Sequence, residues 1–540
     1  MGRAAELMSV IGRCDAKTKL LLVIIVAAGL RIIFFAPYVK TDDIAYIQGA
    51  HFLATQQTID PSHWGTRLGL IGPTAVLYAL FGVNGMTTGA YPLLCSLLQV
   101  PVVYFVGRRL FGEPSGLLAA TLLAFFPLEV IFASHLFPCS PIGLWAGLSC
   151  MFAVCQPSKR TGLNLLAAGG CIGIACTVRA TAVFCLPLLL ISTVWPGGAG
   201  RRRGVSIMFH WLCVLAGLAT IFAVEAAVFY WLTDEWCYRW RVLSQQVVHQ
   251  GGEVVGAGTT LGWYLRPITR LLTEQEMALF PLLLAPAIVY HVCRRPGRHS
   301  RFLAAWALFV LVYTFYGTVS PLRFAPLPRL PRYLSPATLP AMVLLASFLF
   351  AAFGRRWRAV LVALLLASGV LGVWLDNGRA VAADTRELYA YMTDRPGQRF
   401  ILTPPVLFDV LFYHGFEPPL PLAVYAAPPD DAPAPADDPL ASYRRLHPPL
   451  VAIDSLENVP AAAHLVVADA SLQQRIELRG GAELVASFAP PDRLYHRILR
   501  HRFMLKLLSL TRDEYRMGAL AWHGQSPKHP TIWVYRIAAK

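Results

Sequence analysis

The sequence predicts an all-α polytopic membrane bundle of about eleven spans plus interfacial helices, followed by a small C-terminal α/β domain. Three observations predict it. Of the 540 residues, 56% are hydrophobic and only 14% charged, whereas a soluble domain is about a quarter charged; mean hydropathy is +0.51. The apolar residues gather into runs of about 17–25, the helix length that crosses a hydrocarbon core of roughly 30 Å. Beyond residue 375 those runs give way to short β-like segments.

The runs lie at 19–37, 67–83, 88–107, 115–135, 141–156, 162–178, 180–196, 207–232, 278–293, 302–317, 334–353 and 357–375. The first is placed like a signal peptide. No small-residue cleavage pattern follows it, so it reads as an uncleaved first span. The basic loops RRLFGE (108–113), QPSKRTG (156–162), GRRRG (200–204), CRRPGRHSR (293–301) and GRRWR (354–358) set the topology. Short basic loops stay in the cytoplasm. With a cytoplasmic N-terminus they do so together only if the run at 67–83 does not span. That run holds Gly69, Gly72, Pro73 and Gly82, and it reads as a helix at the outer interface. The loops 38–87, 233–277 and 317–333 then face outward, as does everything after 376.

Residues 1–375 therefore form the membrane domain and 376–540 an extracytoplasmic accessory domain. The latter has a Pro/Ala/Asp-rich linker at 427–439 and β-like runs at 399–403, 450–454, 464–469 and 532–537. It has no nucleotide-binding glycine pattern. The net charge of +16 is explained by the basic loops before any nucleic acid is invoked. The eleven cysteines read as small apolar packing residues without metal spacing. A disulfide between Cys139 and Cys237 is open only if both face outward.

The outward surface carries Asp42 and Asp43, then His63 and Arg67, then Arg179 between two apolar runs. The loop before a late span carries Arg323, Arg329 and Arg332 with no acid. Arginines there can anchor to headgroups or form an anion site, since a guanidinium fork matches phosphate and keeps its charge. An arginine between apolar runs is costly unless it lines a cavity. Carboxylates facing such a site suit transfer of a sugar held on a lipid phosphate: one carboxylate deprotonates an acceptor hydroxyl and the arginines offset charge on the departing phosphate. The local pattern also allows a plainer use. Ile44, Ile47, Ala50 and Leu53 recur at helical spacing, so Thr41 or Asp42 could cap a short helix.

Asp42-Asp43-Ile-Ala-Tyr46, Arg67 leading a run that ends Leu80-Phe81-Gly82-Val83-Asn84, the RRLFG at 108–112 and Arg332-Tyr333 occur in an order that resembles the GT-C glycosyltransferases using dolichyl- or polyprenyl-phosphate sugars. These include protein O-mannosyltransferases and lipid A aminoarabinose transferases. The likeness covers roughly residues 19–375. It implies that Asp42 is the general base, with Asp43 and Tyr46 supporting it. It implies an isoprenoid-linked sugar donor whose phosphate is held by Arg67, Arg179, Arg332 and Tyr333. Many relatives have an acid after the third span, where this chain reads Phe137-Pro138-Cys139-Ser140-Pro141. Glu129 either compensates or is a paired polar residue in the bundle, the use favoured here; Glu225 reads likewise. No certain cofactor is implied, and a divalent metal stays open, though nothing in the residues supports one. The expected place is a bacterial inner membrane. The acceptor, whether glycolipid, glycan or protein, is open. The alternative is a lipid-linked sugar transporter or flippase, which needs coupling carboxylates near the midplane; only Glu129 and Glu225 are available for that.

Overall fold

The computed structural model describes residues 15–39, 41–155, 161–194, 204–250, 271, 276–294, 297–317, 330–376, 383–395, 398–402, 404–413, 422–425, 451–453, 463–467, 476, 482–488 and 532–537. They fall into two compact units. One comprises Met1–Pro37, Asp42–Ala79 and Thr88–Asp376; the other comprises Tyr38–Thr41, Leu80–Thr87 and Asn377–Lys540.

In the first unit every apolar run of the sequence contains helix. The helices are α1 (Ala16–Ile33), α2 (Asp43–Gln56), α3 (Leu68–Phe81), α4 (Gly85–Phe111), α5 (Glu113–Phe125), α6 (Pro127–Ile131), α7 (Cys139–Val154), α8 (Thr161–Val178), α9 (Leu186–Val194), α10 (Gly204–Thr233), α11 (Tyr238–Gln250), α12 (Phe280–Cys293), α13 (Arg298–Tyr316), α14 (Thr338–Ala352) and α15 (Arg355–Asp376). Two 3-10 segments, Ala180–Cys185 and Pro331–Ala337, lead into α9 and α14. Among the described residues, five helical stretches are long and apolar enough to cross a membrane by themselves: 85–111, 161–178, 207–233, 331–352 and 355–374. Other apolar runs are divided by local breaks, as where Pro127 separates α5 from α6. Helix α3 has 14 residues, a length of about 21 Å, short of a roughly 30 Å core. Large apolar side chains such as Leu215, Val224, Leu364 and Leu371 stand on the outside of the bundle, which suits lipid rather than water. The apolar helices make this a multi-pass membrane protein.

Sequence chemistry explains the local choices. Asp15 caps α1 by accepting from the Thr18 amide at 3.0 Å. Helix α4 ends on Arg108 and Arg109, cations at the negative end of the helix dipole. Helices α8 and α10 pack through glycine. A Cβ at Gly169 would come within 1.9 Å of the Val214 carbonyl oxygen, and one at Gly173 within 2.8 Å of Ile221. This G-x-x-x-G spacing lets two apolar helices meet backbone to backbone.

A buried polar knot ties α1, α4, α5 and α6. Arg31 Nε donates to Ser96 Oγ at 2.8 Å, and its Nη1 donates to the carbonyls of Ala27 and Ala124. Gln99 donates to Glu129 at 2.9 Å and to the Ser140 carbonyl. Arg31 is fully buried and Glu129 is 2% exposed, so each charge needs such partners to sit there. Cys139 and Cys237 are both free thiols, the first buried and the second exposed. The disulfide is not formed, because one partner lies inside the bundle.

The second unit holds α16 (Ala383–Thr393), β1 (Phe400–Leu402), α17 (Pro404–Tyr413), β2 (Leu422–Tyr425), β3 (Val451–Ile453), β4 (His464–Val467), β5 (Ala482–Phe488) and β6 (Ile532–Ile537). The sheet order is β3-β2-β1-β4-β6-β5. Strands β1 to β4 pair in parallel, and β6 runs antiparallel to β4 and β5. All three residues of β1 are buried, as expected for a parallel strand covered on both faces. Tyr38 stacks on Phe412 with ring centroids 4.6 Å apart. The four β-like runs of the sequence are strands β1, β3, β4 and β6. Strands β2 and β5 were not expected. Each has a single β-branched residue, so neither stands out by propensity. The linker at 427–439 lies outside the described residues.

Candidate active site

Asp42 precedes α2 and has αR backbone angles, yet its side chain makes no capping bond. The cap expected from local sequence is not made by Asp42. Its Oδ2 instead accepts from Arg332 Nη2 at 2.9 Å. The two side chains are 32% and 14% exposed, so the pair stands at the edge of the bundle with the carboxylate the more open to solvent.

Asp43, one residue on, is fully buried. Two adjacent acids thus have different surroundings, because a helix turns its side chains about 100° per residue. Tyr46 lies one turn after Asp42 and is also fully buried. Its hydroxyl accepts from Arg67 Nη1. The Arg67 guanidinium stands 5.1 Å from the Tyr46 ring centre and 4.7 Å from that of Trp64, so it is cradled by aromatic faces. Gly65 supports this loop from within: a Cβ there would fall 2.1 Å from the Asp60 carbonyl oxygen. His63 lies over Trp64 at 4.1 Å.

Arg179 occupies the break between α8 and the 3-10 segment, with extended backbone at φ −159 and ψ 124. Its guanidinium stacks on Tyr333 at 3.7 Å. Tyr333 and Arg332 belong to the second 3-10 segment. That segment is pinned by Ser335 Oγ donating to the Arg332 carbonyl and by Trp306 Nε1 donating to the Pro336 carbonyl, at 2.9 and 3.0 Å. Phe137 completes the ring of aromatics, 5.1 Å beneath Arg332 and edge-on to Tyr46.

Arg179, Arg332, Tyr333, Cys139, Thr181, Tyr313 and Ser335 line one cleft. On the other side of the same 3-10 segment, Leu334 and Ala337 join Phe126, Phe280, Leu284, Leu311 and Met342 around an apolar cavity of about 100 Å³. One short segment thus separates a cationic cleft from a greasy one.

The electrostatics are strained toward positive charge. Burial, followed by the field of Arg179, lowers the Arg67 pKa to about 9; Tyr333 and Asp42 act in the opposite sense. Burial also pushes His63 below its ordinary value, against the pull of Asp42 and Asp60. An anion placed among these cations would relieve their mutual repulsion.

The structure brings together Asp42, Tyr46, His63, Arg67, Arg179, Arg332 and Tyr333. Glu129 belongs to the Arg31–Gln99 knot and does not line the cleft. Arg323 and Arg329 lie outside the described residues. Among the described residues no group of three or more His, Cys, Asp and Glu is placed to hold a metal. Sequence reading missed Phe137 and Trp64 as ring supports and Arg239 as the partner of Glu225. Trp64, three residues before Arg67, was within local reach of it; Phe137 meets Arg332 only through the fold.

The fold is that of a polytopic membrane protein of GT-C type, as the likeness to solved ArnT structures shows. The model of the family described as dolichyl-phosphate-mannose-protein mannosyltransferase matches residues 74–231. The match includes Arg179 and stops short of Asp42, Arg67 and Arg332. No curated protein sequence matches the chain. Among solved structures, ArnT from Cupriavidus metallidurans in the apo state is similar at 15% identity and TM-score 0.55, over 88% of this chain and 97% of that one. ArnT from the same organism bound to undecaprenyl phosphate is similar at 14% identity and TM-score 0.52, with the same coverage.

Proposed function

We propose that this chain is a membrane glycosyltransferase that moves a sugar from a polyprenyl-phosphate donor to an acceptor hydroxyl outside the cytoplasm. One observation carries the reading: a partly exposed carboxylate, Asp42, is held 2.9 Å from Arg332 at a cleft that Arg332 shares with Arg179 and Tyr333. The partial match to the mannosyltransferase family and the likeness to an ArnT solved with undecaprenyl phosphate support it.

In this mechanism Asp42 accepts the proton of the acceptor hydroxyl. The acceptor oxygen forms a bond to the anomeric carbon while the bond from that carbon to the phosphate oxygen breaks. A single displacement inverts the anomeric configuration. The departing polyprenyl phosphate gains charge, and Arg67, Arg179 and Arg332 stabilise it. Arg332 has two duties, orienting the base and meeting the phosphate. The aromatic faces of Tyr333, Tyr46 and Trp64 hold the guanidinium planes so that little reorganisation is needed. The apolar cavity behind Leu334 and Ala337 suits the isoprenoid chain. Glu129 and Glu225 are each bound to a buried partner, which disfavours a transporter built on free coupling carboxylates.

The charge bias of the short loops supports a cytoplasmic N-terminus and a C-terminal domain outside, and the likeness to ArnT of Cupriavidus metallidurans supports a bacterial inner membrane as the place. The acceptor is a glycolipid, an envelope glycan or a protein. The test is transfer of labelled sugar from synthetic polyprenyl-phosphate sugars to envelope extracts by the purified protein. Label appearing in a glycolipid, glycan or protein fraction is the expected result. Donor that remains intact across a panel of sugars would overturn the reading.

A further inference from the structure

We propose that Glu225 and Arg239 form a positioning pair that fixes the end of α8 from which Arg179 projects, and so sets the spacing of Arg179 from Arg67. The proposal rests on the donor-phosphate reading of those two arginines.

Arg239 opens α11 and Glu225 lies toward the end of α10. Arg239 Nη1 donates to both carboxylate oxygens of Glu225, at 2.5 and 2.7 Å, and its Nη2 donates to the Cys176 carbonyl. The pair is buried, with side chains 6% and 7% exposed. Cys176 is in the last turn of α8, where the final four carbonyls have no amide ahead of them in the helix. A guanidinium there satisfies one such carbonyl and meets the negative end of the helix dipole. Three residues later the backbone leaves the helix at Arg179. Arg239 therefore braces the place where α8 breaks.

The same place is braced from a second side. Gly69, in the first turn of α3, lies against Thr177 and Val178 so closely that a Cβ would stand 2.2 Å from Thr177 Oγ1 and 2.8 Å from the Val178 nitrogen. Arg67 is the residue before α3. The backbones that carry Arg67 and Arg179 thus touch. Helix α11 closes the arrangement, with Tyr238 and Val242 packed on Phe229 and with Ile59 and Leu68 against that cluster. Ile59 and Leu68 bracket the loop that holds His63, Trp64 and Arg67. Arg67 feels the positive fields of both Arg179 and Arg239. Glu225 cancels the charge of Arg239, so the brace does not add to the repulsion in the cleft.

The variants follow from an asymmetry. Removing one member of a buried ion pair strands a charge and destabilises strongly, whereas replacing both with apolar residues of similar size is often neutral. The full-length protein in lipid nanodiscs is compared with the double variant Glu225→Leu/Arg239→Met and with Arg239→Lys. The latter keeps the charge and loses the planar fork. Undecaprenyl phosphate is the binding probe, with a neutral isoprenol as control; melting temperature, donor KM and kcat are read alongside. The double variant is expected to melt near the wild type, to bind undecaprenyl phosphate about tenfold more weakly and to raise donor KM in proportion, with a smaller change in kcat. Arg239→Lys is expected to fall between the two. Unchanged affinity in either folded variant overturns the positioning role. Failure of the wild-type protein itself to prefer undecaprenyl phosphate over the isoprenol overturns the donor-phosphate reading, and this proposal with it.

Discussion

Asp42 and Arg332 stand 290 residues apart in the chain and 2.9 Å apart in space. The contact joins the loop before α2 to the 3-10 segment before α14, and it holds a carboxylate that makes no capping bond to its own helix. Under the proposed mechanism the acceptor hydroxyl must come within hydrogen-bond reach of the other carboxylate oxygen, Oδ1.

Asp42→Asn keeps the shape and removes the proposed base. Transfer of labelled sugar by this variant should fall by about 10²–10⁴-fold, the usual worth of a general base, with donor affinity little changed. Asp43→Asn alters a fully buried group and should act mainly on melting temperature. Full activity in Asp42→Asn, with a loss in Asp43→Asn, would reassign the base.

Tyr333 supports Arg179 by its ring face, 3.7 Å from the guanidinium. Tyr333→Phe keeps that face and Tyr333→Leu removes it. A cation–π contact in such a setting is worth about 0.5–2 kcal/mol. Donor KM should therefore rise between about twofold and thirtyfold in the leucine variant and stay near wild type in the phenylalanine variant. Equal defects in both would show that the hydroxyl, not the ring, matters.

His63 gives a pH dependence. Burial lowers its pKa below the ordinary 6.5. Between that lowered value and the ordinary one the unfolded chain binds more protons than the folded one, so stability falls as pH drops through this window. The melting temperature should decline below pH 6.5, and His63→Gln should flatten that part of the profile. A decline of equal slope in the variant would assign it to another group.

The α8–α10 contact depends on absent side chains. Gly169→Val would drive a Cβ into the Val214 carbonyl and should destabilise by about 1–3 kcal/mol or more. Gly72→Ala is the matched control, since nothing lies within 4 Å of its missing Cβ. A lower melting temperature in the first variant and none in the second is the expected result in detergent; no loss in Gly169→Val would show that these helices pack more loosely than their backbones indicate.

The helical unit was legible because lipid imposes one strong rule, that a spanning segment be apolar and satisfy its own backbone. Each apolar run became helix, some of them broken in two, and the short, Pro-containing run at 67–83 became a helix of only 14 residues. The sheet was legible only in part. Strands β2 and β5 owe their pairing to neighbours far along the chain, Val451–Ile453 and Ile532–Ile537, and a strand's neighbours are not visible in its own residues.

The same division runs through the site. Sequence by itself determined the helices and singled out the acidic pair and the arginines beside apolar runs, because composition and spacing express local chemistry. It left Asp42 between cap and catalyst, since both uses favour a carboxylate at the start of a helix. Tertiary structure gives that carboxylate a partner in place of a cap. Arg332 reaches Asp42 from the far end of the membrane unit, Tyr333 and Trp64 supply the faces on which Arg179 and Arg67 rest, and Arg239 finds Glu225 and the end of α8 together. Charges cannot be buried alone, so which carboxylate serves which guanidinium is settled only when packing has excluded water from the rest.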